Sequence, residues 1–301
     1  MEVAVGSELG WQKRQSDAHL ADCLAPGVTL FGIADGFGEV AGNARIAPAA
    51  LANVRDDLRR RQRVGSFARN VSPSGLRAIL LGALDYANAR LYAQSGSDDD
   101  HVGSGTSLTA VMIVGHHAFV GHVGDARAYL LRLGRLEMLT ADDAMFADAA
   151  VPSTKTNLPA KPRLRGLLWR SLGTQPKLEA SIAHVELAAG DQLVLCTDGV
   201  YRAVAEDELG HALDDCETAT GVVARVLSLV RSRGAGDNGT LIVARDLLVA
   251  PPQAFVAGAR ARTVRVAVAV GLLAASLLSY GLFTLRGGFT DHPTNLTSSD
   301  R

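Results

Sequence analysis

The sequence predicts an α+β domain of mainly antiparallel strands, followed by one C-terminal transmembrane helix. Two observations predict the domain: short β-branched runs cluster between helical segments, and they lack the regular strand–helix alternation of a parallel sheet. One observation predicts the transmembrane helix, because residues 266–285 carry no charge. At about 1.5 Å per residue, such a run is long enough to cross about 30 Å of hydrocarbon as a helix.

Seven runs have strand character, since they are short, rich in β-branched residues and bounded by Gly or Asp. They are 28–34, 108–114, 118–123, 128–133, 182–187, 192–197 and 240–245. Apolar residues recur at helical spacing in three further segments, 44–62, 76–92 and 218–231. A long stretch from 141 to 166 has weak periodicity and interrupts the strand series, as functional loops often do.

The membrane prediction divides the chain into four parts. The folded domain is expected to cover 1–249, and a linker that contains Pro251 and Pro252 covers 250–262. The transmembrane helix covers 263–286 and leaves 287–301 as a short extracytoplasmic tail. Three arginines precede the apolar run closely and one follows it, so the positive-inside rule places the domain in the cytoplasm. We therefore expect a single-pass membrane protein.

The composition excludes several classes of protein. Basic and acidic residues balance at 30 and 31, which is untypical of nucleic-acid-binding proteins, and we expect no nucleic-acid partner. Hydrophobic residues make up 48% of the chain, which excludes wholesale disorder. The three cysteines, Cys23, Cys196 and Cys216, are too few and too scattered for a disulfide scaffold or a zinc site.

Four aspartates lie at the ends of predicted strands. Asp35, Asp125 and Asp198 follow apolar strands, and Asp237 precedes one. Each alone is most simply a turn residue. Because strand ends meet at one edge of a sheet, these carboxylates can converge, and converging carboxylates need protons or a cation. Oxygen ligands favour Mg²⁺ or Mn²⁺, and two such ions would activate a water and polarise a phosphoryl oxygen.

The chain resembles the PP2C (PPM) class of metal-dependent Ser/Thr protein phosphatases. The resemblance implies a four-layer αββα sandwich, in which two antiparallel sheets are flanked by helix pairs, with a dinuclear metal site at one end. Six segments carry it in the family's order: GWQKRQSDAH (10–19), FGIADGFGEVAG (31–42), GSGTSLTAVMI (103–113), HVGDARAYLLRLGRLEMLT (122–140), GDQLVLCTDGVY (190–201) and GDNGTLIVARDL (236–247).

The resemblance also implies roles for individual residues. Asp35 would bridge two Mn²⁺ or Mg²⁺ ions, the Gly36 carbonyl would bind one of them, and Asp198 and Asp237 would complete the other. Asp125 matches the aspartate associated with a third, labile ion in bacterial members. The residues expected to carry catalysis are the metal ligands Asp35, Asp198 and Asp237, together with Asp17, which matches the last Asp of the first motif. The stretch 141–166 would be the flap beside the site.

Two positions depart from the family's first motif. Gln12 stands where the family has a phosphate-binding Arg, and Ser16 replaces an acidic residue. The loss of the Arg removes a bidentate phosphate contact. Lys13 or Arg14 could take over, but adjacent residues on a strand point to opposite faces, so at most one would face the site.

Three hypotheses of function remain open from the sequence. The first is Mg²⁺- or Mn²⁺-dependent hydrolysis of phosphoserine and phosphothreonine in proteins at the cytoplasmic face of the membrane, with phosphoproteins, including a membrane Ser/Thr kinase and its substrates, as partners. The second is a catalytically weak pseudophosphatase that binds phosphoproteins. The third is cysteine-dependent catalysis, which rests on CTDGVYR at 196–202. Against it, Asp198 would repel a phosphate, and Cys196 is expected to be a buried, inert thiol.

Histidines 116, 117 and 122 form a local cluster in the sequence. His117 and His122 are an odd number of residues apart, so they face opposite sides of a strand and cannot bind one ion together. His122 lies three residues before Asp125 and is a candidate for a supporting role beside that carboxylate.

Overall fold

The computed structural model describes residues 1–38, 43–65, 71–95, 104–143 and 170–247. These residues lie in one compact unit, Met1–Leu248. The predicted linker, transmembrane helix and tail lie outside the described residues, and so does most of the predicted flap. Among the described helices, none is long and apolar enough to span a membrane.

The described residues form ten strands and five helices. The strands are β1 (Glu2–Glu8), β2 (Asp17–Ala25), β3 (Val28–Phe37), β4 (Gly105–Val114), β5 (His117–Val123), β6 (Arg127–Arg132), β7 (Arg135–Met138), β8 (Ser181–Glu186), β9 (Gln192–Cys196) and β10 (Gly239–Arg245). The helices are α1 (Asn43–Arg63), α2 (Pro73–Ser95), α3 (Asp198–Tyr201), α4 (Glu206–Asp215) and α5 (Ala219–Ser232).

The strands form two five-stranded antiparallel sheets. The first sheet has the order β1-β10-β9-β6-β7 and the second has the order β2-β3-β4-β5-β8. Helices α1 and α2 pack on the second sheet, and α4 and α5 pack on the first. The predicted α+β fold with antiparallel sheets is therefore confirmed, and its helices and sheets form four layers.

The apolar layer between the sheets explains how the fold directs side chains toward one site. Along β3, Phe31 and Ile33 pack between the sheets, whereas Leu30 and Ala34 pack toward the helices α1 and α2. Side chains on a strand alternate between faces, so Asp35 has the same orientation as Phe31 and Ile33. Its carboxylate therefore lies where the layer between the sheets ends.

The structure corrects several predicted boundaries. β3 does not end at Ala34, because its ladder with β4 continues through Asp35 and Gly36 to the pair Phe37–Gly105. Asp35 and Gly36 are thus strand residues rather than residues of a following turn. The strands β1, β2 and β7 and the helices α3 and α4 have no counterpart among the predicted elements.

Candidate metal centre

Five aspartates meet at one end of the sandwich, and elements of both sheets position them. Asp17 is the first residue of β2 and pairs across the ladder with Asp35 in β3. Asp125 lies in the turn between β5 and β6, Asp198 begins α3 directly after β9, and Asp237 lies just before β10. The structure thus brings together all the predicted carboxylates, although they are spread over most of the domain.

The electrostatics of Asp35 show how close these carboxylates are. Burial raises the pKa of Asp35 well above its ordinary value, and the negative charges of Asp17, Asp198, Asp125 and Asp237 raise it further. All four neighbours therefore lie within electrostatic reach of Asp35. A buried group of this charge is unfavourable unless protons or cations neutralise it.

The pKa values of three further carboxyls are raised for the same reason. Burial raises the pKa of Asp17 to about 7, with the charge of Asp198 as a smaller cause, while a hydrogen bond from Thr197 opposes the shift. Burial raises the pKa of Asp125 to about 7 and that of Asp198 to about 6, and the charge of Arg202 opposes both shifts. At neutral pH the cluster thus has a strong affinity for protons and, by the same argument, for cations.

The donor atoms fit hard divalent cations. Asp17 Oδ2 accepts a hydrogen bond from Thr197 Oγ1 at 2.8 Å, and Asp198 Oδ2 pairs with Arg202 at 2.7 Å. The second oxygen of each carboxylate, Oδ1, is buried and has no hydrogen-bond partner among the described residues. Buried oxygens without a partner are rare in folded proteins, and these two carboxylate oxygens are available to bind a cation. Because the donors are all oxygen, Mg²⁺ or Mn²⁺ fits the site better than Zn²⁺.

Two glycines, Gly199 and Gly10, allow their segments to lie in direct contact with the backbone of residues 237–238. A Cβ on Gly199 would lie 2.1 Å from the carbonyl oxygen of Asn238. Gly10 has a φ of +58°, and a Cβ there would lie 2.3 Å from the carbonyl oxygen of Asp237. Side chains at these positions would push the 237–238 backbone away from its neighbours.

We expect Gly199→Ala to impair the metal centre. The added methyl group must displace the backbone beside Asp237, at a cost of about 1–3 kcal/mol in folding stability, and should weaken Mn²⁺ binding at least about tenfold. Gly210→Ala on α4 is the matched control, because nothing lies within 4 Å of the added Cβ. Calorimetric Mn²⁺ titration and urea unfolding measure both effects. Equal Mn²⁺ affinities of the two variants would contradict the prediction.

Asn238 connects the first and last segments of the site, and sequence reasoning did not single it out. Its Oδ1 accepts hydrogen bonds from the backbone N of Ser16 at 2.7 Å and from Ser16 Oγ at 2.8 Å. Its Nδ2 donates to the carbonyl oxygen of Leu9 at 2.8 Å. The Ser16 hydroxyl is thus engaged in holding this loop. Gln12 is similarly engaged, since its Nε2 donates to the Gly236 carbonyl at 3.3 Å.

Two arginines that were not predicted as site residues border the carboxylates. Arg127 donates to both oxygens of Asp142 over 2.7–3.2 Å and lies over the Tyr201 ring at 3.8 Å. Arg202, paired with Asp198, lines a cavity of about 410 Å³ that also contacts Asp237. Arg127 pairs with a residue 15 positions along the chain, so no local sequence pattern indicates it. Arg202 and Asp198 are four positions apart in CTDGVYR, so their spacing was a local signal for the pair.

The first residues of the predicted flap, 141–143, are held to neighbouring segments beside the site. Asp143 forms an ion pair with Arg170, the residues at the two ends of the segment that is not described. The backbone N of Asp143 donates to the Gly124 carbonyl at 2.6 Å, next to Asp125. His122 supports this connection, since its Nε2 donates to the Ala141 carbonyl at 3.0 Å. His122 Nδ1 lies 2.8 Å from Thr109 Oγ1, which donates to the Ala126 carbonyl next to Asp125. The imidazole therefore connects the start of the flap to the segment that holds Asp125.

The cysteine-dependent hypothesis is contradicted by the environment of Cys196. The side chain is fully buried at the end of β9. Burial raises the pKa of the thiol to about 12, so it carries no charge at neutral pH. Cysteine-dependent phosphoryl transfer needs an accessible thiolate. The expectation of a buried, inert thiol is confirmed.

Comparison with known proteins places these features in a family. The family model for protein phosphatase 2C matches residues 3–146. The serine/threonine protein phosphatase PstP of Mycobacterium tuberculosis is 33% identical over 234 residues, which cover 75% of this chain and 42% of that protein. The chain thus spans less than half the length of this curated relative.

Two solved structures share the fold over most of the described domain. The serine/threonine phosphatase PstP/Ppp of Mycobacterium tuberculosis aligns with a TM-score of 0.65 at 26% identity, over 80% of this chain and 97% of that chain. PppA of Pseudomonas aeruginosa, a key regulatory component of T6SS, aligns with a TM-score of 0.64 at 27% identity, over 81% and 97%. The family match, the 33% identical phosphatase and the shared fold together show that the chain belongs to the protein phosphatase 2C family.

Proposed function

We propose that this protein hydrolyses phosphoserine and phosphothreonine in proteins, using Mg²⁺ or Mn²⁺ bound by the converging aspartates. The observation that carries the proposal is the convergence of five carboxylates, three of them buried and two half-buried. Two of the five keep a buried oxygen without a partner among the described residues. The relatives named as serine/threonine phosphatases support this substrate class.

Each residue of the site would have a distinct role in this reaction. Asp35, the Gly36 carbonyl, Asp198 and Asp237 would hold two ions, and Asp125 would hold a third. Bound ions would supply an activated water and neutralise charge on the phosphoryl oxygens. Asp17 lies opposite Asp35 in the β2–β3 ladder, so its carboxyl would be placed to accept or donate a proton beside the bound ions.

Arg202 is our candidate for the guanidinium that position 12 lacks. Its side chain is 50% exposed and pairs with Asp198, and it lines the cavity together with Asp237. Lys13 and Arg14, the substitutes considered from the sequence, are exposed. Arg202 lies between the carboxylates and the cavity. Its guanidinium can therefore exchange Asp198 for a phosphate oxygen once the carboxylate charge is neutralised.

We expect Arg202→Ala to raise the KM for a phosphopeptide about tenfold or more, with a smaller change in kcat, because a charge-assisted contact to phosphate is lost. Mn²⁺ affinity should stay equal or increase, since Arg202 competes with cations for Asp198. Arg225→Ala on α5, where Arg225 pairs with the exposed Asp215, is the matched control. An unchanged KM in Arg202→Ala would show that another group binds the phosphate.

Phosphate release from phosphoserine and phosphothreonine peptides tests the proposed reaction directly. The 301-residue chain should release phosphate with Mn²⁺, lose this activity in EDTA, and keep it in Cys196→Ser. No release at any Mn²⁺ concentration, with phosphopeptide binding retained, would favour the alternative of a weakly catalytic phosphoprotein-binding module. That alternative is motivated by Gln12 and Ser16, whose side chains bond to neighbouring loop residues.

We further propose that residues 263–286 anchor the domain to the cytoplasmic face of a membrane. The uncharged run 266–285 and the preceding arginines support this proposal. Its substrates would then be phosphoproteins at the membrane, including a Ser/Thr kinase and the targets of that kinase. The full chain should remain in the membrane fraction after alkaline carbonate extraction. Recovery in the soluble fraction would contradict the anchor.

A further inference from the structure

Histidine and glutamate side chains cluster at the end of the second sheet that lies away from the aspartates. His117 begins β5 and pairs with Glu186, the last residue of the edge strand β8. His116 lies in the preceding turn, and one possible ligand atom from each of His116, His117 and Glu186 lies within 4.8 Å of the others. The backbone fixes the turn there, because the N–H of Leu187 donates to the His116 carbonyl at 2.7 Å.

The strand register separates this cluster from the metal centre. In the β3–β4 ladder, Asp35 pairs with Ser107, whereas Val28 pairs with Val114 beside the turn that holds His116. The seven positions between Asp35 and Val28, at about 3.4 Å each, correspond to about 24 Å. An ion at the cluster would therefore share no ligand with an ion at the aspartates.

His184 holds the ring of His117 in place. His117 Nδ1 lies 3.1 Å from His184 Nε2, and the His184 ring stacks on Phe119 with 4.6 Å between centroids and 10° between planes. Phe119 is buried, so this stack is anchored in the core. The hydrogen bond leaves Nε2 of His117 for another partner. Imidazoles that bind metals commonly have their second nitrogen hydrogen-bonded in this way.

We propose that His116, His117 and Glu186 bind one divalent ion of the zinc class, with His184 as a positioning residue for His117. Two imidazoles and one carboxylate are typical zinc ligands, whereas Mg²⁺ and Ca²⁺ prefer all-oxygen sites. His116 and Glu186 are exposed, so the ion can enter from solvent and keep water as its fourth ligand. The bound ion would link the β4–β5 turn to the edge strand β8. This inference does not rest on the proposed phosphatase function.

Calorimetric titration of the 301-residue chain with Zn²⁺, in a buffer that holds excess Mn²⁺, tests the site. We expect His117→Ala to weaken binding of one Zn²⁺ equivalent about 100-fold and His184→Ala to weaken it about tenfold. His211→Ala removes an exposed histidine on α4 and should change nothing. Co²⁺ gives a second readout, because its visible absorption on binding should disappear in His117→Ala.

One further variant and a check of folding make the outcome decisive. Asp35→Asn should retain the Zn²⁺ equivalent, because it alters the distant aspartates and leaves the histidines intact. Far-UV circular dichroism and the unfolding midpoint verify that each variant is folded, whether or not the protein proves to be a phosphatase. Unchanged Zn²⁺ and Co²⁺ binding in His117→Ala would overturn the site. Loss of the Zn²⁺ equivalent in Asp35→Asn would place the ion at the aspartates and overturn it equally.

Discussion

Asp35→Asn is expected to lower kcat for phosphopeptide hydrolysis by at least about 10³-fold, which corresponds to about 4 kcal/mol of transition-state stabilisation. Asp35 is the carboxylate on which the other four act: Asp17, Asp198, Asp125 and Asp237 all raise its pKa. Asparagine keeps the shape of the side chain but removes the charge that would hold the ions together. Phosphate release at saturating Mn²⁺ measures the loss.

A second readout separates a lost metal site from a damaged fold. Removal of one charge from a buried cluster of like charges should make the cation-free variant more stable to urea than the parent. Mn²⁺ should then stabilise the variant less than it stabilises the parent. Asp214→Asn on α4 is the control, because Asp214 is exposed and far from the cluster in sequence and fold. Activity within tenfold of the parent would rule out a central role for Asp35.

Much of the fold could be predicted because long periodic segments dominate it. The three long helices were located within a few residues, since apolar positions recur at helical spacing over several turns. The strand β2 could not be found in the same way, because DAHLADCLA places polar residues between its apolar ones and only its pairing with β3 makes it a strand. The helix α4 is short and rich in acidic residues, so its apolar face is small.

The carboxylates of the site could be predicted from a local sequence pattern, whereas the contacts around them could not. Asp35, Asp125 and Asp198 each follow an apolar run in the sequence, and this local pattern repeats even though Asp35 itself belongs to β3. The contacts that hold the loops together join residues far apart in the chain, such as Ser16 and Asn238, which are 222 positions apart. The position of Arg202 beside the cavity also follows from packing, that of α3 against the 237–238 backbone, although its ion pair with Asp198 joins residues only four positions apart.

Without divalent cations, the protein is expected to lose stability as pH rises from about 4 to about 8. In the folded state the pKa values of Asp17 and Asp125 are about 7 and that of Asp198 is about 6, all above the ordinary value of 3.8. The folded protein therefore binds protons more tightly than the unfolded chain. By linkage, this contribution is fully present below about pH 4 and is lost as pH rises through the folded pKa values.

The expected loss in the free energy of unfolding follows from the pKa shift of one carboxyl. A pKa raised from 3.8 to about 7 corresponds to about 4 kcal/mol for one carboxyl. Because the carboxyls interact, we expect a total loss on the order of 4 kcal/mol rather than a multiple of it. His122 acts in the opposite direction, since burial lowers the pKa of its imidazole and its contribution is lost as pH falls. Burial lowers the pKa values of His19 and His117 in the same direction. The four site carboxyls with raised pKa values, Asp17, Asp35, Asp125 and Asp198, outweigh these three imidazoles and leave the net slope negative.

Urea unfolding in EDTA at pH 5, 6, 7 and 8 measures this slope, and the same series with Mn²⁺ shows its cause. A cation bound to the aspartates replaces the protons that are lost on raising the pH, so Mn²⁺ should abolish most of the decline. Asp125→Asn should flatten the decline in EDTA, because one raised carboxyl is removed, whereas Asp214→Asn should leave it unchanged. Stability that stays constant or rises with pH in EDTA would show that the aspartates do not retain protons in the fold. The converging aspartates would then have no electrostatic need of a cation.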